Sequence, residues 1–301
     1  MNKKPHGIFL NTAKANCSIH ESGKMIYQSL LASAKYELDY LEIDENSRQI
    51  PTKYDFYAFN YHPLTMDWLS TKALRHLPGV KIAFILEVLP NDPFVLCPRH
   101  DFDAYCPLDP TINVPNKSVY AFPRPLETLD QTSSYQEKSI PVIGSFGFAT
   151  PGKGFELVVD AVNKEFEKAV IKISIPHGKY TDNFFKGLHK KDYAEYLKEI
   201  CEKTAKPGIQ VNITRDYMDK NDLIQWCGQN TLNCFLYCRD QPGLAATTDQ
   251  AISSGRPLSV SSNETFRHVH PYIKPYPFQS LKESIASSQP HVLRMRRDWS
   301  A

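Results

Sequence analysis

The segment 141–162, PVIGSFGFATPGKGFELVVDAV, constrains the fold of this 301-residue chain more than any other. It opens apolar and strand-like at Val142 and Ile143. It then passes through a loop holding Gly144, Gly147, Gly152 and Gly154 around a single cation, Lys153. Phe155, Leu157, Val158, Ala161 and Val162 follow at helical spacing. Strand, glycine loop and helix in this order turn backbone N–H groups and a helix N-terminus toward an anion. A lysine at the end of the loop adds a point charge suited to phosphate. No Ser or Thr follows Lys153, so the segment is not a Walker loop. Its glycine spacing and mid-chain position also set it apart from the dinucleotide fingerprint.

The chain is too long for one small core and fits two domains. Before the glycine segment, strands are expected at 7–10, 38–43, 54–60, 80–86, 102–106 and 118–122, with helices at 24–36 and 65–76. The continuous apolar run at 80–86 suits a strand covered on both faces. Residues 127–139 are polar and lack an apolar period, which predicts a linker. The alternation then restarts, with helices expected at 155–166, 192–204, 220–228 and 245–254. Strands are expected at 169–175, 209–213, 231–237 and 257–260. The pattern predicts an α/β protein of two domains: residues 1–126, a linker 127–139, residues 140–285, and a helical tail 286–301 that is compatible with truncation of a longer chain. Ligands of such sheets bind at the carboxyl ends of the strands.

Bulk composition narrows the function. Apolar content of 42% and charged content of 23% are those of a globular protein. A net charge of +2 makes no electrostatic case for nucleic acid. No apolar run approaches the roughly 20 residues that span a bilayer, and the N-terminus lacks a signal-like apolar region, so a cytoplasmic location is expected. The seven cysteines are scattered, and Cys234 and Cys238 sit in an apolar run without a second pair, which favours free thiols over zinc. Asp101, Asp103 and Asp109 follow no ligand spacing, so no metal is expected there.

Two segments carry a resemblance. Residues 144–162 resemble the strand, glycine loop, Lys-Gly-Phe and helix of GT-B glycosyltransferases, chiefly family four, the group 1 glycosyl transferases. Residues 251–260, AISSGRPLSV, resemble that family's helix end, Gly-x-Pro turn and strand, and Asp298-Trp299-Ser300 is similar to its C-terminal Ser-Trp. The resemblance implies two Rossmann-like domains facing a cleft. It implies a UDP- or GDP-sugar as donor co-substrate, no bound cofactor or metal, retention at the anomeric carbon, and a glycan, lipid-linked or protein acceptor. Two family features differ. Ser145 stands where the family has an arginine, and Pro242 and Gln250 align with its two glutamates, with Asp240 and Asp249 nearby. A diverged enzyme and a catalytically silent sugar-binding module of a larger protein are both compatible with this. An NAD-type oxidoreductase is disfavoured by the missing fingerprint.

The site residues follow. Gly147, Lys153 and Gly154 are expected at the donor diphosphate, and Asp249 or Gln250 at a donor hydroxyl. Arg256, Arg267 and His268 are candidate phosphate clamps, since guanidinium pairs with phosphate in bidentate fashion. In the first half, His20 and Glu21 lie after the first strand, as acceptor or proton-transfer groups. Glu21 also reads as the partner of Ser18 in a capping box. His62 and Glu87 end two strands on the same side. A carboxylate closing an apolar strand is costly unless exposed or paired, which makes Glu87 a catalytic candidate.

Overall fold

A computed structural model describes residues 3–13, 18–44, 46, 49–62, 65–87, 101–127, 135–177, 192–240 and 243–300. The chain divides into two compact units. The first is Met1–Pro125 with Pro242–Leu244, and the second is Leu126–Gln241 with Ala245–Ser300.

The first unit holds β1 (His6–Thr12), α1 (Ser18–Ala32), β2 (Glu37–Ile43), β3 (Phe56–Tyr61), α2 (Thr71–Arg75), β4 (Val80–Ile85) and β5 (Ala104–Pro107). The five strands are parallel and ordered β2-β1-β3-β4-β5. Central β1 is buried almost throughout, while edge β2 alternates exposed and buried positions. Alternate residues feed two apolar clusters. Ile8, Leu10, Tyr57, Phe59 and Ile85 enter one, and Phe9, Ala58 and Phe84 the other. Successive strand side chains point to opposite faces, so both faces of this sheet are covered.

The second unit repeats the plan with β6 (Val142–Phe146), α3 (Phe155–Glu165), β7 (Ala169–Ser174), α4 (Tyr193–Thr204), β8 (Ile209–Thr214), α5 (Lys220–Gly228), β9 (Leu232–Phe235), α6 (Thr247–Ser253) and β10 (Leu258–Val260). The 3-10 turn Glu264–Phe266 and helices α7 (Leu281–Ser287) and α8 (Gln289–Trp299) close it. Strand order is β10-β9-β6-β7-β8, all parallel, with fully buried β6 at the centre. Chain direction across this sheet reverses between β6 and β9. In the first sheet the reversal falls between β1 and β3. Open α/β sheets bind ligands at the carboxyl ends of the strands at such a point. Helix α8 completes the second core through Val292, Met295 and Trp299.

Four local expectations change. Helix α1 begins at Ser18, six residues before the expected start at 24. Gly23 reads as a helix boundary, yet it lies inside the helix. A Cβ there would stand 2.3 Å from Asn11 Oδ1 and 2.5 Å from Asn60 Nδ2, so glycine permits a close approach. The Ser18 side chain, expected to cap this helix, lies outside the described residues. The helix expected at 65–76 shrinks to α2, capped by Ser70, whose side chain accepts from Ala73 N–H. Residues 118–122 form one bridge, Tyr105 to Val119, rather than a strand. They still run along β5, with Tyr120 N–H donating to Tyr105 and Phe122 N–H to Pro107. Of the expected linker, 128–134 lies outside the described residues.

Helix propensity alone predicts that Gly23→Ala stabilises the protein by about 1 kcal/mol. The contacts with Asn11 and Asn60 reverse the sign. We expect Gly23→Ala to destabilise by about 1–3 kcal/mol, read as a lower midpoint of urea unfolding.

Candidate functional site

The glycine loop of the second unit lies flat on the chain leaving β9. Gly154 caps α3 in the left-handed region, at φ 67° and ψ 31°, and no side chain caps that helix. A Cβ on Gly154 would stand 2.0 Å from the Leu236 carbonyl oxygen, and one on Gly152 would stand 2.8 Å from Arg239 Cβ. Cys238 N–H donates to the Gly152 carbonyl at 2.9 Å, which ties the two segments. This contact carries Lys153 to the point where the strand order reverses.

There Lys153 Nζ donates to the Tyr237 hydroxyl at 2.9 Å and stands 4.4 Å from the centre of its ring. The Tyr237 hydroxyl is 3.0 Å from Thr247 Oγ1, on the first residue of α6. Tyr237 is buried, so both hydroxyls are held in place. Arg239 reaches the same ring, its guanidinium carbon 5.8 Å from the centroid, while Nη2 donates to Thr265 Oγ1 at 2.9 Å. Two cations thus flank one aromatic ring beside an uncapped helix start. An ammonium has three donor hydrogens, and among the described residues Lys153 directs one hydrogen bond, to Tyr237. The arrangement can receive a doubly charged phosphate group. Tyr237, Thr247 and Arg239 escape a reading of local pattern. The one signal available is the polar Tyr237-Cys238-Arg239 closing an apolar strand.

The other residues expected in this half are dispersed. Asp249 is 8% exposed within α6, and neighbouring Gln250 shows more of its surface. Arg256 donates from Nε to the Asn230 carbonyl at 3.0 Å, and its guanidinium carbon sits 3.3 Å from the centre of the Tyr135 ring. Burial pulls that guanidinium below its ordinary pKa. His268 is 4% exposed, with Nε2 2.9 Å from Thr248 Oγ1 and its ring stacked on Trp299. Arg267 Nη1 donates to the Glu264 carbonyl at 3.0 Å. Pro242, aligned with one family glutamate, lies outside the described residues.

In the first unit, the reversal point gathers a polar network. Asn11 closes β1, and its Nδ2 donates to the His20 carbonyl and the Tyr40 hydroxyl, both at 2.9 Å. Asn60 closes β3 and donates from Nδ2 to Asn11 Oδ1 and the Ile19 carbonyl, which leaves its own Oδ1 buried without a hydrogen-bond partner. These amides pin the first turn of α1 and so place His20. That ring is 3% exposed, with Nε2 2.8 Å from Glu42 Oε1 and Nδ1 3.3 Å from Glu21 Oε1. Burial raises the Glu42 pKa, but hydrogen bonds from His20 and the Tyr40 hydroxyl outweigh it and hold the carboxyl below its ordinary value. Burial, with Glu42 adding to it, pushes the Tyr40 phenol up to about 12.

The structure also brings together His62 and Glu87, with Nε2 3.5 Å from Oε2. Glu87 is 54% exposed and can reach a bound molecule. Asp103 bonds Lys81, and Asp109 accepts from Thr111. Among the described residues, no three His, Cys, Asp or Glu side chains are gathered as a metal would require. Burial pushes the thiols of Cys106 and Cys201 up to about 12. Among the described residues no helix is long and apolar enough to cross a membrane.

The Glu42 network predicts a pH dependence. A carboxyl with a lowered folded pKa contributes stability above its unfolded pKa and loses it as the pH falls through the folded value. Glu42→Gln should therefore cost about 1 kcal/mol at neutral pH, discounted for the partial exposure of the carboxylate. The difference should shrink as the pH falls below the ordinary glutamate range and through the lowered folded value, as checked by urea unfolding of both proteins across acid pH.

No protein-family model matches the sequence, and no curated protein sequence does. Solved structures match along the whole length. HepE of Anabaena, in complex with UDP and glucose, aligns over 98% of this chain and 96% of its own, with TM-score 0.61 and 10% identity. A glycosyltransferase from Rickettsia africae aligns over 100% and 95%, with TM-score 0.67 and 10% identity. A UDP-forming α,α-trehalose-phosphate synthase from Burkholderia xenovorans aligns over 98% and 94%, with TM-score 0.62 and 10% identity. With two five-stranded parallel sheets in Rossmann-like units and these neighbours, the chain has the GT-B fold.

Proposed function

We propose that this protein is a glycosyltransferase that takes a sugar from a UDP- or GDP-sugar. The observation that carries the reading is Lys153, held on Tyr237 at the strand-reversal point of the second unit beside an uncapped helix start. The structural neighbours support it, since one is in complex with UDP and glucose and another is named as UDP-forming. In this reading the donor diphosphate lies over the glycine loop. Lys153 meets its charge, and Arg239 supplies the second cation that the family places on the strand bearing Ser145. As the bond from the anomeric carbon to phosphate oxygen breaks, negative charge grows on the diphosphate. Fixed cations stabilise that state more than the ground state. Gln250 and Asp249 stand nearest the family's glutamates and are assigned to donor hydroxyls.

The first unit holds the acceptor, a glycan, lipid-linked or protein hydroxyl. Of its histidine–carboxylate pairs, His62–Glu87 is the one assigned to the ligand, because its carboxylate is 54% exposed just past the end of β4. Glu87 is assigned to orient the attacking hydroxyl and His62 to hold that carboxylate. His20 has both ring nitrogens engaged and is assigned to positioning, with Glu21 beside it. Retention of configuration, independence of metal and a cytoplasmic setting belong to the same proposal and rest on the resemblance and on the polar, charged composition.

One observation favours a second reading, a binding module without turnover. Asp249, the carboxylate nearest the family's second glutamate, is buried rather than presented. Calorimetric titration with UDP, GDP and their sugars separates the readings when paired with an assay for released nucleotide. Lys153→Ala should weaken binding of the preferred nucleotide by about 10–100-fold, or roughly 1.5–3 kcal/mol. Binding with release supports the enzyme, and binding without release or hydrolysis supports the module. Absence of nucleotide binding by the unaltered chain would sink the enzyme and leave only a module for a sugar without a nucleotide.

A further inference from the structure

The second unit carries a cavity that the proposed donor site does not use. It has a volume of about 350 Å³ and is lined by His270, Tyr272, Lys274, Gln279, Ser287 and His291 among others. It lies between the chain that follows β10 and the α7–α8 junction, whereas the donor loop sits at the ends of β6 and β9. Three of its lining residues are basic, four carry neutral hydrogen-bond donors, and no carboxylate lines it. Ligand pockets run from roughly 300 Å³ upward, so this one suits a small molecule.

The local chemistry gives the sign of the ligand. His270 Nε2 is 3.1 Å from the Ser261 carbonyl, so it carries the hydrogen and donates there. Nδ1 of that ring then carries a proton only in the imidazolium form. Gln279 Nε2 donates to Ser287 Oγ at 3.2 Å, and that hydroxyl donates to the Glu283 carbonyl at 2.7 Å. Glu283 stands one helical turn before Ser287, and its carboxylate accepts from Ser280 N–H at 2.8 Å in a helix-capping box. That bond first, and more weakly the Lys274 charge, hold it ionised. The remaining charged neighbour, Arg294, lies over the Tyr272 ring and pairs with Asp298. The lining thus gathers Lys274 and two histidines with an amide and a hydroxyl, while Glu283 beside it is committed to a helix end and Asp298 to Arg294. Phe278, 78% exposed and next to Gln279, adds an apolar surface in the same segment.

We propose that this cavity binds a phosphate monoester, or a comparable tetrahedral dianion, held by Lys274 and His291 with His270 joining when protonated. A small soluble molecule and a lipid headgroup are the two sources of such a phosphate, and one set of titrations separates them. Sulfate is the first probe, because it stays a dianion at every pH used. Glycerol 3-phosphate tests the soluble source. Sedimentation with phosphatidylcholine vesicles containing phosphatidic acid tests the lipid source.

All titrations use the full chain. The double variant Lys274→Ala, His291→Ala should weaken sulfate by about tenfold or more, together with whichever phosphate source binds. Both side chains are exposed, so folding is spared. Ser287→Glu adds a carboxylate to the lining and should abolish binding while leaving the cations in place. In Lys153→Ala, where the proposed donor site no longer holds a dianion, sulfate should still bind and that binding should be the part lost in the double variant, so this proposal and the donor reading can fail separately. The proposal is overturned if no probe binds, if binding survives the double variant and Ser287→Glu, or if it is lost in Lys153→Ala alone.

Discussion

The second unit depends on one close approach, that of the glycine loop to the chain leaving β9. Gly154 sits against the Leu236 carbonyl with no room for a Cβ, and its left-handed backbone starts α3. Because the loop cannot lift away, Lys153 cannot choose its neighbour. It meets Tyr237, the first polar side chain after the apolar strand, and Tyr237 in turn meets Thr247 on α6. Strand β6, helix α3, strand β9 and helix α6 thus converge on one hydroxyl. Any larger residue at Gly154 separates the cation from the ring and shifts the start of the helix together. Whatever ligand the loop takes, its binding geometry is set by backbone contact and owes little to side-chain adjustment.

Most of the architecture was legible from local pattern. Continuous apolar runs marked the covered strands such as β4, and the glycine segment marked the junction that opens the second unit. Strand order was beyond such a reading, because it depends on which way each crossover turns, and that is settled by packing on both faces of the sheet. The site divides in the same way. Lys153 was legible because loop, cation and helix are consecutive. Tyr237 and Arg239 were not, since their significance lies in meeting residues from a distant strand–helix unit. Gly23 failed for a further reason. A glycine between a polar run and an apolar helix reads as a boundary, and only the amides of Asn11 and Asn60 show that it marks a contact.

The charged residues show how little a sequence says about whether a charge is spent. Arg256 and Arg267 looked alike as phosphate clamps. One stacks on Tyr135 and donates to Asn230, and the other donates to a carbonyl on its own turn. Desolvation and cation–π contact explain why Arg256 is held where it is. His20 and His62 looked equivalent too, each after a strand with an acid near it. The fold buries one between two carboxylates and leaves the other beside a glutamate that faces solvent. Both rings are buried, at 3% and 8% exposure, and what separates them is that, among the described residues, His20 meets two carboxylates and His62 one.

The amide pair around Gly23 carries a consequence for how the sequence can change over time. Asn11, Asn60 and Gly23 occupy one volume: the two side chains fill the space that a larger residue at position 23 would need. None of the three can drift alone. A lineage that shortens either asparagine frees position 23 to vary and loses an anchor of the first turn of α1. A lineage that keeps both must keep the glycine. Across descendants of this chain the three positions should vary together or stay fixed together. That joint variation would be a record, readable from sequences alone, of whether the first turn of α1 still holds His20 in place.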